Sequence, residues 1–362
     1  MIKIIKDQEC CGCGACSNIC PTNAISMELN REGFPYPQVN TEKCIQCHMC
    51  TQVCPMLQKD QREKELLRAF ACYALDDELR ARSTSGGLFA SIAEYFIEKM
   101  HGIVYGVRFD ECYKAIYCSA DRKEQIICMQ GSKYVQADTG NVYREIRNHL
   151  KNHQYVLFSG LPCQVEALKC FLNTEYEMLY TIDIVCFGIA SPGIWKDYLN
   201  TFHDVPQISQ IVFKDKIDGW KNWKVKIKEN EKEQYYDRKG NLYMNSYLQR
   251  INVRPSCFYC QFKGIHRNSD FSIADCWGIG EENEILNDNK GLSALLLHTQ
   301  KGQALFDKIK KKLRYEEYPP ELLMEGNWAV KNSPQKNEFR EEFFNKYGSD
   351  NFMKIFEEYF RT

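Results

Sequence analysis

The chain has 362 residues, of which 44% are hydrophobic and 26% charged, and its formal net charge is −1. This even balance, with Lys and Glu interspersed, gives no electrostatic case for nucleic acid as a partner. No run of ~18 apolar residues is present to span a membrane. Nineteen cysteines without a recognisable export signal argue for metal sites in a reducing, cytoplasmic setting rather than for disulfides.

The first feature along the chain is a cysteine run. Cys10, Cys13, Cys16 and Cys20 are spaced C-x₂-C-x₂-C-x₃-C with Pro21 behind the last, and Cys44, Cys47, Cys50 and Cys54 repeat the pattern with Pro55. This is the ligand run of a bacterial-type ferredoxin with two 4Fe–4S clusters, in which the fourth cysteine of each run crosses to the other cluster. Crossing over groups Cys10, Cys13, Cys16 and Cys54 at one cluster, and Cys44, Cys47, Cys50 and Cys20 at the other. Exposed clusters of this kind imply an anaerobic or low-oxygen host. Cys11 falls outside the spacing; with Cys72, Cys112, Cys118, Cys128 and Cys170 it reads as a small buried hydrophobe. Between the runs, residues 24–39 alternate apolar and polar around Asn30-Arg31-Glu32-Gly33, the pattern of a β-hairpin. A ferredoxin-like head is therefore expected over 1–57, followed by a charged linker or short exposed helix at 58–67.

From residue 68 strand-like and helix-like stretches alternate. Strands are predicted at 69–74 and 103–109, and between them a helix at 87–100 with Leu88, Ile92, Phe96 and Ile97 on one face. A helix at 141–152, a strand at 155–159, a helix at 163–172 and a strand at 179–185 follow. Residues 208–214 and 223–228 alternate as a strand pair. A buried strand at 292–298 leads into a helix at 302–313. The Phe-rich tail from residue 337 reads as an amphipathic helix packing back on the body. The fold class is α+β or α/β: a two-cluster head and a larger mixed α/β domain over 68–330, with a helical tail at 331–362.

Four more cysteines fall at loop ends. Cys163 lies in Ser-Gly-Leu-Pro-Cys-Gln at a strand-to-helix turn, Cys186 follows a strand, and Cys257 and Cys260 form a C-x₂-C loop. Such a set fits a third iron–sulfur cluster or a structural zinc. Cys276, in Ala-Asp-Cys-Trp-Gly, competes for a place in it. No Gly-x-Gly-x-x-Gly follows a predicted strand, so a Rossmann nucleotide site is unsupported. Ser83-Thr84-Ser85-Gly86-Gly87 does open the helix at 87–100, where free N–H groups, hydroxyls and glycines suit a phosphate or an anionic flavin edge; the same residues also make an ordinary N-cap. Gln130-Gly131-Ser132-Lys133-Tyr134 is similar, and Lys133 can set a cation beside a reduced flavin. Lys133 and Asp275 are the candidate acid–base groups.

These pieces, in order, resemble the coenzyme F-420 hydrogenase/dehydrogenase beta-subunit family. The motifs are Ser-Thr-Ser-Gly-Gly, Gly-Ser-Lys-Tyr-Val, Phe158-Ser-Gly-Leu-Pro-Cys-Gln, Asp183-Ile-Val-Cys-Phe-Gly, Phe213-Lys-Asp-Lys, Ser256-Cys-Phe-Tyr-Cys and Asp270-Phe-Ser-Ile-Ala-Asp-Cys-Trp-Gly. The resemblance implies FAD and a 4Fe–4S cluster in the large domain. Cys163, Cys186, Cys257 and Cys260 would hold that cluster, and Ser83, Thr84, Ser85, Gly86, Gly87, Ser132 and Lys133 would line the flavin. Two departures stand out: Cys186-Phe187-Gly188 where relatives often have Cys-His-Gly, and Ala274-Asp275-Cys276-Trp277-Gly278 where many have Gly-Asp-Phe-Trp-Gly. The family name does not fix the substrate, because members occur in hosts without the deazaflavin.

The expected protein is thus a cytoplasmic iron–sulfur flavoprotein oxidoreductase. It would exchange electrons with a soluble redox carrier or redox enzyme and hydride with a small-molecule donor or acceptor, coenzyme F-420 among them. Two rivals have other chemistry: a flavin-free electron-relay subunit that docks a separate enzyme through its Phe-rich tail, and a large domain stabilised by zinc as a scaffold.

Overall fold

The computed structural model describes residues 1–58, 68–277, 279, 283, 286–348 and 351–360. Of the predicted linker at 58–67, residues 59–67 lie outside the described residues, as does Gly278.

The predicted hairpin is present as strands β1 (Ile25–Leu29) and β2 (Pro35–Val39), paired antiparallel. Its turn is set by Asn30, whose side-chain oxygen accepts the N–H groups of Glu32 and Phe34 at 3.1 and 3.0 Å. Strands β3 (Arg68–Ala74), β4 (Ile103–Phe109), β5 (Ala115–Ala120), β6 (Val156–Gly160) and β7 (Leu179–Ile184) follow. Next, β8 (Ile208–Asp215), β9 (Lys224–Glu229) and β10 (Lys232–Tyr236) make a separate antiparallel sheet, and β11 (Phe271–Asp275), β12 (Ser293–Leu297) and β13 (Leu313–Glu317) return to the first body sheet. That sheet has eight strands in the order β13-β3-β12-β11-β7-β6-β4-β5.

β4, β6, β7 and β11 run parallel, and β3 points the same way because β12 lies antiparallel between it and β11. Their C-terminal ends therefore open on one edge, where sheets of this kind place ligands. The central strands read as unbroken apolar runs because both faces are covered. All five residues of β6 and of β12 are buried. In β6, Val156 and Phe158 enter the core on one face and Leu157 the core on the other, the alternation of a strand. The helix Leu88–Met100 buries Leu88, Ile92, Phe96 and Ile97 as its spacing predicts.

The helix expected at 302–313 spans Gln300–Ile309 instead, with Thr299 accepting the N–H of Gly302 at its start. One 3₁₀ turn, Lys310–Lys312, ends it, because Leu313 pairs with Ala74 and opens β13. The tail forms two helices, Arg340–Lys346 and Phe352–Phe360. Most of its phenylalanines turn inward. Phe343, Phe344, Phe356 and Phe360 are buried, and Phe356 lies 6.2 Å from the Tyr198 ring, centroid to centroid. Phe339 and Met353 are exposed.

Three arginines of the body and tail fasten the head. Arg144 donates to the carbonyl of Cys20 at 2.8 Å, at the end of the helix Ala15–Ile19, which satisfies an orphan carbonyl there. Arg340 makes a bidentate, buried ion pair with Glu32 of the hairpin turn at 2.8 and 2.5 Å. Arg254 is the third and lies at the candidate site. No helix among the described residues is long and apolar enough to cross a membrane.

Candidate redox site

The loop from Cys10 to Cys16 turns through Gly12 and Gly14, with φ of 69° and 74°. These are left-handed values that a side chain resists. A Cβ on Gly12 would also collide with Gln136 and Arg254, and one on Gly14 with Thr139. Both glycines thus let the cysteine loop press directly onto the body. Cys54 comes back beside Cys10, Cys11 and Cys16, since the thiols of this group raise one another's pKa, after burial, as neighbours do. Cys50, assigned to the other cluster, lies near Cys16 as well. In the other group, Cys20 sulfur accepts the N–H of Ala24 at 3.2 Å and Cys50 sulfur that of Ile2 at 3.1 Å. N–H···S bonds of this kind tune cluster potentials.

Arg254 sits fully buried under the first loop. It donates to the carbonyl of Cys10 at 2.7 Å, to Oε1 of Gln136 at 2.9 Å and to the carbonyl of Pro35 at 3.0 Å. Its guanidinium lies 4.3 Å from the Tyr36 ring centroid. Removing it strands three acceptors, that of Gln136 buried and the other two half-buried, so Arg254→Met is expected to lose about 3 kcal/mol of stability. The head should also lose iron. Anaerobic urea denaturation read beside iron content checks both.

Cys163, Cys186, Cys257 and Cys260 line one cavity with Phe187, Lys263 and Arg267. They reach it from the ends of β6 and β7 and from the 3₁₀ turn Pro255–Tyr259. Burial pushes the Cys186 thiol up to about 11, against the pull of Lys263 and Arg267. Lys263 donates to the carbonyls of Cys186 and Ala329, both at 2.7 Å, so a fixed cation borders the thiols. Among the described residues, no three His, Cys, Asp or Glu side chains form a group that could hold a metal ion. Cys276 lies elsewhere, buried with Trp220, Leu286 and Leu292 and beside Cys72.

Cys11 joins the two thiol groups. Its thiol lies close to Cys13 of the head and to Cys163 of the cavity, and these neighbours hold it below the usual thiol range in spite of burial. It is buried in the apolar core, as its reading as a small hydrophobe expects. Cys112 and Cys128, also expected inside, are exposed, and Cys118 and Cys170 are half-buried. Cys112 follows a turn organised by Asp110, and Cys128 lies on the outer side of the 3₁₀ helix Lys123–Met129.

The two flavin motifs meet. The N–H of Ser132 donates to Oγ1 of Thr84 at 2.7 Å, and the two hydroxyls lie 3.0 Å apart. Gly87, at φ 85°, starts the 13-residue helix beside them. Ser85 and Gly86 are otherwise engaged: Ser85 donates to Leu292 and the Gly86 N–H donates to Ser293 Oγ, which fixes the turn to β12 and the loop before it. Ser83 donates to Leu79. Although part of its stem reaches the surface, Lys133 has an enclosed ammonium that donates to the carbonyls of Cys128 and Gln130; burial pulls its pKa down to about 8. Lys216 does the same beside Ser85, brought to about 8 by burial and by Arg80. Thr84 and Ser132 thus join the two motifs at the start of that helix. Asp275 is not free for acid–base work, because it pairs with Lys214 at 2.6 Å and keeps that lysine charged against burial.

Aromatic rings connect this site to the thiol cavity. Phe187 lies 5.5 Å from Tyr247, and Tyr247 5.3 Å from Tyr134, two residues past Ser132. Arg254, the nearness of Cys11 to Cys163 and these rings escape a reading of the sequence. The only signal is the placement of Arg254 just before the C-x₂-C loop.

Residues 153–322 match the family described as the C terminus of the coenzyme F420 hydrogenase/dehydrogenase beta subunit. Residues 9–57 and 43–91 match two families of 4Fe-4S dicluster domain. No curated protein matches. Among solved structures, the chain is similar to one from the F420-reducing [NiFe] hydrogenase complex of Methanosarcina barkeri, with 13% identity and a TM-score of 0.50, covering 81% of this chain and 93% of that one.

Proposed function

We propose that this chain, which belongs to the coenzyme F420 hydrogenase/dehydrogenase beta-subunit family, passes single electrons between the clusters of its head and an FAD in its body. On this reading residues 1–57 are the electron-exchange domain, 68–330 the cluster- and flavin-binding domain, and 331–362 a tail that clamps the head. The observation that carries the reading is the seating of the head's first cysteine loop on the body, with Arg254 donating to the Cys10 carbonyl and the buried Cys11 close to Cys163. A head that docked only for stability has no need to set its cysteine loop against a second ring of thiols.

Cys163, Cys186, Cys257 and Cys260 would hold a third 4Fe–4S cluster, with Lys263 and Arg267 offsetting its negative charge. Thr84, Ser132 and the N-terminus of the helix Leu88–Met100 would hold an anionic part of the flavin, and Lys216 and Lys133 supply cations beside it. FAD is stable at both one- and two-electron reduction, so it couples a cluster chain to a hydride donor or acceptor. The residues around it orient the group and keep water out. The substrate is a small two-electron carrier, coenzyme F-420 being one to screen, and the one-electron partner is a redox protein meeting the head. A reducing cytoplasm suits the thiols.

Flavin released by denaturing anaerobically purified protein tests the reading. About one FAD per chain is expected, falling in a Thr84→Ala/Ser132→Ala variant. Fully iron-loaded protein without flavin would select the electron-relay reading instead.

A further inference from the structure

One pair of thiols lies outside every element of the proposed electron route. Cys118 sits on β5, the edge strand of the large sheet, opposite Gly106 of β4. Cys128 sits on the 3₁₀ helix Lys123–Met129, which folds back over the same strands. The return is close because Gly106 has no side chain: a Cβ there would meet the Met129 sulfur at 2.9 Å. Met129 is thereby buried against the sheet, and its neighbour Cys128 is brought over the strand that carries Cys118, opposite Gly106.

The two sulfurs differ in access. Cys128 is exposed and donates to the carbonyl of Gln125 at 3.1 Å, while Cys118 is half-buried behind it. Burial and the neighbouring Cys128 push the Cys118 thiol up to about 11. The Lys133 ammonium stands in the field of both sulfurs and is anchored to the Cys128 carbonyl at 3.0 Å. An exposed thiol, a second thiol behind it and a fixed cation beside them are the parts of a thiol–disulfide centre, in which one sulfur reacts and the other resolves.

We propose that Cys128 and Cys118 form a redox-active dithiol that takes oxidising equivalents from low-molecular-weight disulfides. The Cys128 thiolate attacks one sulfur of the small disulfide, so a mixed disulfide forms and one small thiolate leaves. Cys118 then attacks the Cys128 sulfur. The internal bond forms, the mixed bond breaks and the second small thiol departs. Two protein thiols are oxidised, one small disulfide is reduced to two thiols, and the two protein protons end on those thiols. The bridge ties the 3₁₀ helix to β5 and ends any thiolate charge beside Lys133, the residue next to Ser132. This proposal rests on these groups alone and does not require the flavin or the third cluster.

The test uses the iron-loaded full chain, kept without oxygen and equilibrated with oxidised glutathione, then alkylated, digested and analysed by mass spectrometry. A Cys118–Cys128 bridged peptide is expected in the unaltered chain. Cys118→Ser should arrest at a glutathione adduct on Cys128, and Cys128→Ser should leave Cys118 reduced. Exposed Cys112 serves as the internal control and should react far less. Glutathione adducts spread equally over Cys112 and Cys128 with no internal bridge would overturn the proposal. So would a Cys118→Ser protein with no adduct on Cys128. Because each substitution exchanges sulfur for oxygen at a surface strand or turn, unchanged iron content serves as the check that the variants fold.

Discussion

Replacing Arg340 with methionine is expected to cost about 3–5 kcal/mol of stability, the usual penalty for breaking a buried ion pair from one side. Glu32 and Arg340 are 5% and 4% exposed, respectively, and the carboxylate has its bidentate partner only in this arginine. Without it, the hairpin turn of the head carries a buried charge against the helix Pro192–Phe202, where Gly33 and Gly193 backbones are in direct contact. The cost is that of the stranded charge, so Glu32→Leu combined with Arg340→Met should recover most of it. Denaturant midpoints of the two single variants and the double one decide the matter. A double variant as unstable as the sum of the singles would show that the pair holds the head by more than its own charge balance.

The second large effect concerns iron. Cys186→Ala is expected to remove about four of about twelve iron atoms, those of one cubane, and to leave the head clusters in place. Cys186 approaches the cavity from the side of Lys263, away from Cys11, so its loss does not touch the head loop. Cys276→Ala, in contrast, should leave iron unchanged, because Cys276 packs with Cys72 and Trp220. Iron and acid-labile sulfide per chain, with the electron-spin spectrum of reduced protein, report both. Loss of iron from Cys276→Ala would return that residue to the ligand set.

What can be read from the sequence follows from how far apart the interacting residues lie. The head ligands are legible because a cubane imposes its spacing on a short loop. The four distant thiols are legible as candidates because Cys163 and Cys186 follow strands and Cys257 and Cys260 share a C-x₂-C loop; the parallel strands β6 and β7 bring the first two to one edge, and the 3₁₀ turn Pro255–Tyr259 supplies the others. The clamps are not legible. Arg254 meets Cys10 across 244 residues and Arg340 meets Glu32 across 308, and no local pattern marks an arginine for such a partner. Cys11 reads as a small hydrophobe and is buried as one; its nearness to Cys163 is what the spacing rule does not reach. The strand β5 is a short edge element between a turn and the 3₁₀ helix Lys123–Met129, and β13 is a short edge element of mostly charged residues. The amphipathic tail does pack back on the body, and most of the phenylalanines that the rival reading offers to a partner are buried there, Phe339 excepted.

The most direct test of the central claim is anaerobic transfer from a reduced small ferredoxin, a donor too large to reach a flavin held in the body. Flavin absorbance should bleach in the unaltered chain. In Cys186→Ala that retains its FAD and its head clusters, bleaching should be largely lost. Equal bleaching in the two proteins would contradict a route from the head through the Cys163, Cys186, Cys257 and Cys260 ring.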